Sequence, residues 1–133
     1  MTLQLFAHPF SSYCQKALIA LYENDIPFAF RMLAPEEPEN GAEFARLWPI
    51  QRFPILVDGD RTILEATTII EYLEANYPGP TVLIPRDAAE AVEVRMLDRV
   101  FDNYVMTPQG GIVFNAIREE KDRDPYEIGR AHV

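Results

Sequence analysis

The residues best suited to chemistry in this sequence lie between Ser11 and Lys16, in the segment Ser-Ser-Tyr-Cys-Gln-Lys. A short apolar run over 3–6 precedes them and an amphipathic pattern follows, so the segment is predicted to open a helix directly after a strand. The first N–H groups of a helix favour negative charge in front of them. A hydroxyl there cannot form a disulfide, but it can donate a hydrogen bond to a thiolate brought by another molecule. The pattern indicates activation of a small thiol cofactor.

The energy that such activation needs is modest. Lowering a thiol pKa from ~8.5 by about two units takes only ~2.7 kcal/mol. Ser11 is the candidate donor, and Tyr13 is a weaker one. The alternative is that these serines only cap the helix, since Ser12 and Gln15 have the spacing of a capping box. Both roles can coexist if Ser12 caps the helix and Ser11 faces the ligand, in which case losing the Ser11 hydroxyl should barely change stability.

Cys14 is the only cysteine and therefore the second candidate for thiol chemistry. It shares a helical stripe with Ala17, Leu18 and Leu21, which predicts burial against a sheet. Buried thiols in apolar surroundings keep raised pKa values and react slowly. We expect Cys14 to be structural, while a redox role remains the alternative.

Composition narrows the class of protein. With 133 residues, 48% of them hydrophobic, the chain is long enough for one packed domain, and no apolar run approaches the ~20 residues that cross a bilayer. A formal charge of −9 argues against nucleic acid or an anionic membrane as partners. One cysteine excludes an internal disulfide, and no metal site is expected, with His8 and His132 read as structural or surface residues. A cytoplasmic protein is expected.

The first part of the chain alternates strand and helix signals. Strands are predicted over 3–6 and 28–32, a helix over 12–24, a loop over 34–39 and a short helix from an Asn40–Glu43 capping box to Leu47. Apolar runs on both sides of Asp58-Gly59 predict a hairpin over 55–64. A second capping box, Thr68–Glu71, predicts another helix up to about Tyr77. The fold class is therefore α/β, in the order β-α-β-α-β-β-α.

The second part of the chain is predicted to be helical. Residues 79–87 are rich in proline and form a linker between a domain over 1–78 and a partial helical domain over 88–133. Pro108 and Gly110-Gly111 should kink or interrupt the helix over 88–118. The charged segment 118–125 is expected to be a loop or a frayed tail. A lone helix with apolar residues on many sides leaves some exposed, which predicts a homodimer or another oligomer.

Three blocks of this sequence together resemble the glutathione S-transferase family. They are Pro-Phe-Ser-Ser-x-x-x-Lys-x-x-Ile-Ala-Leu over 9–21, Pro-x-x-x-Phe-Pro-Ile-Leu-Val-Asp over 49–58, and Leu-Glu-Ala-x-x-Ile-Ile-Glu-Tyr-Leu over 64–73. The resemblance is greatest to serine-type members, such as the zeta and tau classes. It implies a thioredoxin-like fold followed by the first long helix of an all-helical domain, so the chain looks truncated beside its relatives.

The resemblance also implies a site and a reaction. Ser11 occupies the position of the catalytic serine, and the Phe53–Pro54 peptide is expected to be cis and to pair with the cysteinyl unit of glutathione. Glu65 and Ala66 stand where the γ-glutamyl end binds, although the family usually has a serine at position 66. Arg52 would meet the glycine carboxylate, or is an ordinary surface arginine; Lys16 adds positive potential or is solvated. The residues expected to bind glutathione, as co-substrate, are Ser12, Arg52, Phe53, Pro54, Glu65 and Ala66.

The function implied is that of a glutathione transferase of the detoxification type, in which glutathione thiolate attacks a small electrophile. Because the electrophile binds between the thiol site and the helical domain in that family, a truncated helical domain would weaken or abolish activity. The alternative is a non-catalytic module that uses the same fold for association with another protein.

Overall fold

The computed structural model describes residues 2–126, and its first unit is built on a four-stranded sheet in the order β2-β1-β3-β4. The strands are β1 (Leu3–Ala7), β2 (Phe28–Met32), β3 (Ile55–Asp58) and β4 (Arg61–Leu64). β1 pairs in parallel with β2 and antiparallel with β3, which pairs antiparallel with β4. A parallel pair needs a crossover helix, and α1 (Ser12–Glu23) supplies it.

Helices cover both faces of this sheet. α1 and α3 (Ala66–Asn76) pack on one face against alternate residues of β1, Leu3, Leu5 and Ala7. α2 (Pro38–Leu47) covers the other face, where Phe44 meets Phe6 and Ile55. Because side chains alternate between the two faces along β1, this strand contributes residues to two separate cores. The predicted thioredoxin-like order β-α-β-α-β-β-α is confirmed.

Two of the predicted helix starts are wrong. α2 begins at Pro38 with Glu37 before it, and the side chain of Asn40 is buried and bonded to β2 instead of capping a helix. Proline at the first helical position needs no N–H partner, so it opens the helix early. α3 begins at Ala66, two residues before Thr68, and its N-cap Glu65 makes no capping hydrogen bond with its side chain.

The hairpin between β3 and β4 is confirmed, and its turn is made by Gly59 and Asp60. The register pairs Asp58 with Arg61, and Gly59 has φ 58°, a conformation that glycine adopts without steric cost. The hydroxyls of Tyr72 and Tyr77 both donate to Asp58 Oδ2, at 2.8 and 2.7 Å. These bonds tie the hairpin to the end of α3.

The second compact unit starts at Arg86. No helix among the described residues of either unit is long and apolar enough to cross a membrane. The second unit comprises α4 (Ala88–Val100), a π-helical turn (Phe101–Met106) and α5 (Thr107–Ile117). The predicted interruption is present but its place differs: the irregular turn precedes Pro108, and both glycines lie inside α5. Because Pro108 lacks an N–H for the carbonyl four residues back, the ladder rearranges upstream of it.

The charged segment after α5, up to Tyr126, is a loop held by hydrogen bonds and not a frayed tail. The Asn115 side chain donates to the Asp124 carbonyl at 2.8 Å and accepts from its N–H at 2.7 Å. A short 3₁₀ turn, Glu120–Asp122, lies between them. A paired amide side chain therefore holds this segment against α5.

Removing the Tyr77 hydroxyl should destabilise the protein in a pH-dependent way. The hydrogen bond from Tyr77, and to a smaller extent that from Tyr72, holds the pKa of Asp58 below its usual range. The bond between Tyr77 and Asp58 also raises the pKa of Tyr77 to about 12. Because the folded carboxyl has the lower pKa, its contribution is complete above the unfolded value of ~3.9 and is lost as pH falls through the folded pKa. Urea midpoints of the wild type and Tyr77→Phe should therefore differ at pH 7 and converge at acidic pH.

The matched control is Tyr104→Phe, which removes an exposed hydroxyl. Its urea midpoint should follow that of the wild type at every pH. A difference for Tyr77→Phe that persists below the folded pKa of Asp58 would contradict the proposed role of the carboxylate.

Candidate active site

Three chain segments meet at the edge of the sheet that is formed by the ends of its strands. The directions of the strands bring them together there. β1 ends at Ala7, and Phe6 pairs with Ile55, the first residue of antiparallel β3. Ile55 pairs in turn with Leu64, the last residue of β4. The end of β1, the start of β3 and the end of β4 therefore share one edge. The residues that flank these strand ends include five of the predicted site residues: Ser11, Phe53, Pro54, Glu65 and Ala66.

Ser11 is the N-cap of α1. Its Oγ accepts a hydrogen bond from the Cys14 N–H at 3.4 Å, and its own N–H donates to the His8 carbonyl at 3.0 Å. Ser12 is the first residue of the helix, so the prediction that Ser12 caps it is wrong. The cause is the tight turn over Pro9 and Phe10, which places Ser11 in extended backbone one residue before the helix. Ser11 is half-buried, and its hydroxyl accepts from the Cys14 N–H while also lying within hydrogen-bond reach of the Cys14 thiol.

Cys14 is buried with no exposed surface, as its helical stripe predicts. Burial raises the pKa of its thiol, and hydrogen bonding from the Ser11 side chain and the His8 backbone offsets only part of that effect. A neutral, enclosed thiol is a poor nucleophile. The arrangement favours a structural role for Cys14.

The Phe53–Pro54 peptide is cis, as the family resemblance implies. Pro54 is buried, whereas the Phe53 side chain is 38% exposed and its ring lies 6.3 Å from that of Phe44 in α2. Residue 53 lies beyond the last pair of the β1–β3 ladder, which ends at Phe6 and Ile55. Its backbone therefore stands at the edge of the sheet.

Arg52 lies in the loop that connects α2 to Phe53. The loop turns at Trp48, whose carbonyl accepts from the Gln51 N–H at 2.9 Å, and Gln51 has φ 55°. Arg52 follows this turn with its side chain exposed. It is positioned near the edge, directly before Phe53.

Glu65 has a strained backbone at the start of α3. Its φ of 67° and ψ of 128° lie in a region that residues with a Cβ rarely occupy, and such strain is concentrated at functional sites. Glu65 is exposed and Ala66 is buried. The Glu65 side chain does not cap α3, and the N-terminus of a helix favours an anionic ligand. Nothing in the sequence signals this strain, since glutamate is not typical of positive φ.

Lys16 and Thr67 meet between the two helices that begin at this edge. Lys16 Nζ lies 3.1 Å from Thr67 Oγ1, which links α1, one turn into that helix, to the first turn of α3. Sequence reasoning placed Lys16 near the site but did not predict this partner. The contact depends on how the two helices pack, which local sequence patterns do not report.

The electrostatics of the edge differ from those of the whole chain. The protein carries a formal charge of −9, yet the N-termini of α1 and α3 both open at this edge, since each helix follows a strand that ends there. Each helix N-terminus carries roughly half a positive charge in its unsatisfied N–H groups. The edge is therefore suited to an anion, or to two anionic groups of one ligand.

Residues 5–81 match the sequence profile described as the N-terminal domain of glutathione S-transferase. A probable maleylacetoacetate isomerase of Vibrio cholerae is 37% identical over 100 residues, which is 73% of this chain and 46% of that protein. Glutathione S-transferase theta-1 of Homo sapiens is 33% identical over 88 residues, 65% of this chain and 37% of that protein. The chain spans less than half the length of either relative.

Solved structures extend the similarity to nearly the whole chain. The beta-etherase LigF of Sphingobium is 25% identical, with a TM-score of 0.80 over 97% of this chain and 55% of that one. A glutathione S-transferase of Methylobacillus flagellatus, solved with glutathione bound, has a TM-score of 0.81 over 98% of this chain and 65% of that one. At 22% identity, the latter likeness shows the fold alone.

Because Ser11 caps α1, Ser11→Ala should lower the free energy of unfolding by about 1 kcal/mol. This replaces the expectation that the substitution barely affects stability. Ser12→Ala should change the free energy by only a few tenths of that, since Ser12 is not the cap. Urea denaturation of the three proteins measures both effects, and equal costs at the two serines would refute the assignment of the cap.

Native Cys14 should react slowly with iodoacetamide, because its thiol is enclosed and its pKa is raised. Mass spectrometry of the alkylated protein follows the reaction, and the same protein in denaturing urea provides the fast reference. Native labelling as fast as in urea would restore the redox alternative.

Proposed function

The chain belongs to the glutathione S-transferase family, and from that premise we propose that it binds glutathione and activates its thiol for attack on a small electrophile. The observation that carries the proposal is the convergence of Ser11, the cis Phe53–Pro54 peptide and the strained Glu65 at one sheet edge. Two helix N-termini open at that edge. Glutathione carries anionic groups for both: a thiolate and a γ-glutamyl carboxylate.

Ser11 is the proposed catalytic residue. Its oxygen accepts from the Cys14 N–H, and its proton turns from the Cys14 thiol to the glutathione sulfur when the ligand binds. The N-terminus of α1 favours the same negative charge. A thiolate stabilised in this way attacks the electrophilic carbon, forms the new C–S bond and releases the leaving group with its electron pair. Raising the concentration of thiolate and positioning it account for the rate gain.

The γ-glutamyl end is proposed to bind at the start of α3. The exposed Glu65 carboxylate accepts from the ligand's α-ammonium, and the first N–H groups of α3 take its α-carboxylate. Ala66 offers no hydroxyl where the family usually has a serine, and the hydroxyl of Thr67 is already close to Lys16. We expect affinity to be weaker by about 1 kcal/mol than with that serine.

The rest of glutathione is proposed to lie along the loop that precedes β3. The backbone of Phe53, beyond the last pair of the sheet ladder, pairs with the cysteinyl unit like an added strand. Arg52 meets the glycine carboxylate, and Ser12 contributes at the start of α1. We propose a cytoplasmic protein that acts as a homodimer or another oligomer.

A second candidate function is a non-catalytic module for protein association. Exposed apolar side chains of the second unit favour it: Val92, Met96, Phe101, Tyr104, Val113, Phe114 and Ile117 are each more than half exposed. Retention on immobilised glutathione together with turnover supports the transferase. A stable complex with another protein and no retention supports the module.

The sharpest test of the transferase is Ser11→Gly, because glycine replaces a capping serine at a cost of only a few tenths of a kcal/mol. A hydrogen bond to a charged group contributes about 1.5–3 kcal/mol, so kcat/KM with an aromatic halide should fall by at least about tenfold. The pKa of bound glutathione, read from thiolate absorbance in the ultraviolet, should rise by about one to two units.

The matched control is Asp87→Gly, which removes the cap of α4, where Asp87 accepts from Ala89 and Glu90 N–H. It should leave both the turnover and the thiolate pKa unchanged. If Ser11→Gly conjugates as fast as the wild type, Ser11 has no part in the mechanism.

A further inference from the structure

Arg31 is a charged residue in the otherwise apolar strand β2, and it lies in the row of paired residues next to the candidate site. Arg31 is the only charged residue of β2, and the register continues from Arg31 to Phe6, from Phe6 to Ile55 and from Ile55 to Leu64. This row is the last one across the sheet before the candidate site. The proposed transferase function gives Arg31 no role.

The guanidinium of Arg31 is bonded in three directions. Nε donates to Asn40 Oδ1 at 2.7 Å, Nη1 to Gln4 Oε1 at 2.6 Å, and Nη2 to Glu43 Oε2 at 2.9 Å. Asn40 in turn donates to the Met32 carbonyl at 3.0 Å. The bonds connect α2 to β1 and β2, so they fix both the position and the rotation of the only helix described on this face of the first unit's sheet.

A continuous series of ring contacts leads from Arg31 to the site. Arg31 Cζ lies 5.1 Å from the centroid of the Phe6 ring, and the Phe6 ring stacks with that of Phe44 at 6.4 Å. The Phe44 ring then lies 6.3 Å from that of Phe53. The position of α2 therefore bears directly on Phe53, the residue proposed to pair with the cysteinyl unit.

We propose that Arg31 is a positioning residue for glutathione: by holding α2 on the sheet, it sets the loop over 48–54 that presents Arg52 and the Phe53 backbone. The inference rests on the proposed function. Arg31 acts through Phe44 and Phe53 and does not itself touch the ligand. A lysine cannot replace it, because a single ammonium lacks the planar fork that serves three acceptors in fixed directions.

The chain contains its own reporter for this inference. Trp48 is the only tryptophan and the C-cap of α2, so its fluorescence and its quenching by acrylamide report the end of that helix. Arg31→Met and Arg31→Lys are the test variants, and Glu43→Gln is a milder third, which removes a charge but retains an acceptor. Arg46→Met is the matched control, since Arg46 is an exposed arginine of the same helix.

The expected result is a split between the kinetic constants. KM for glutathione, and its Kd by calorimetry, should rise about tenfold in Arg31→Met and Arg31→Lys, while kcat at saturating glutathione changes by less than about twofold. Glu43→Gln should give a smaller rise. Trp48 should become easier to quench in the Arg31 variants, and Arg46→Met should match the wild type in every measurement.

Three results would overturn the inference. Unchanged Trp48 quenching in folded Arg31 variants would show that Arg31 does not hold α2. Altered quenching with unchanged KM and Kd would show that α2 does not position the ligand. If the wild-type protein itself binds no glutathione, the proposed function fails and this inference fails with it. Calorimetry of the wild type alone detects that failure, whereas the first two results are differences between a glutathione-binding wild type and its Arg31 variants.

Discussion

The antiparallel placement of β3 between β1 and β4 is the constraint on which the candidate site depends. It brings the end of β1, the start of β3 and the end of β4 to one edge, although more than forty residues separate the end of β1 from the other two points in the sequence. Ser11, Phe53 and Glu65 are neighbours of those three strand ends. The backbone hydrogen bonds of the sheet therefore bring these three residues to one edge.

The same arrangement resolves an electrostatic problem. An acidic chain with a formal charge of −9 repels an anionic tripeptide at long range, so an anion requires a locally positive surface. Two helix N-termini that open at one edge provide it with backbone dipoles, which need few basic side chains. At the start of α3 the Glu65 side chain makes no capping bond, and its backbone has the kind of strain that is concentrated at functional sites.

Local patterns predicted the elements well and the helix starts poorly. The stripe of Cys14, Ala17, Leu18 and Leu21 predicted both a helix and a buried thiol, and both are confirmed. The capping-box spacing at Ser12 misplaced the cap of α1, and those at Asn40 and Thr68 misplaced the starts of α2 and α3, because other bonds decide where a chain turns. Asn40 shows the reason: its amide bonds to Arg31 and the Met32 carbonyl, partners that the spacing of nearby residues cannot reveal.

The sequence by itself determined the order of the strands and helices, the burial of Cys14 and, through three matching blocks, the family. These follow from periodicity and residue type, which are local properties. Only the tertiary structure decided that Ser11 caps α1, that Glu65 is strained, that Lys16 meets Thr67 and that Arg31 holds α2. Each of these depends on backbone direction or on a partner far away in the chain, and such contacts exist only once the sheet has brought distant segments together.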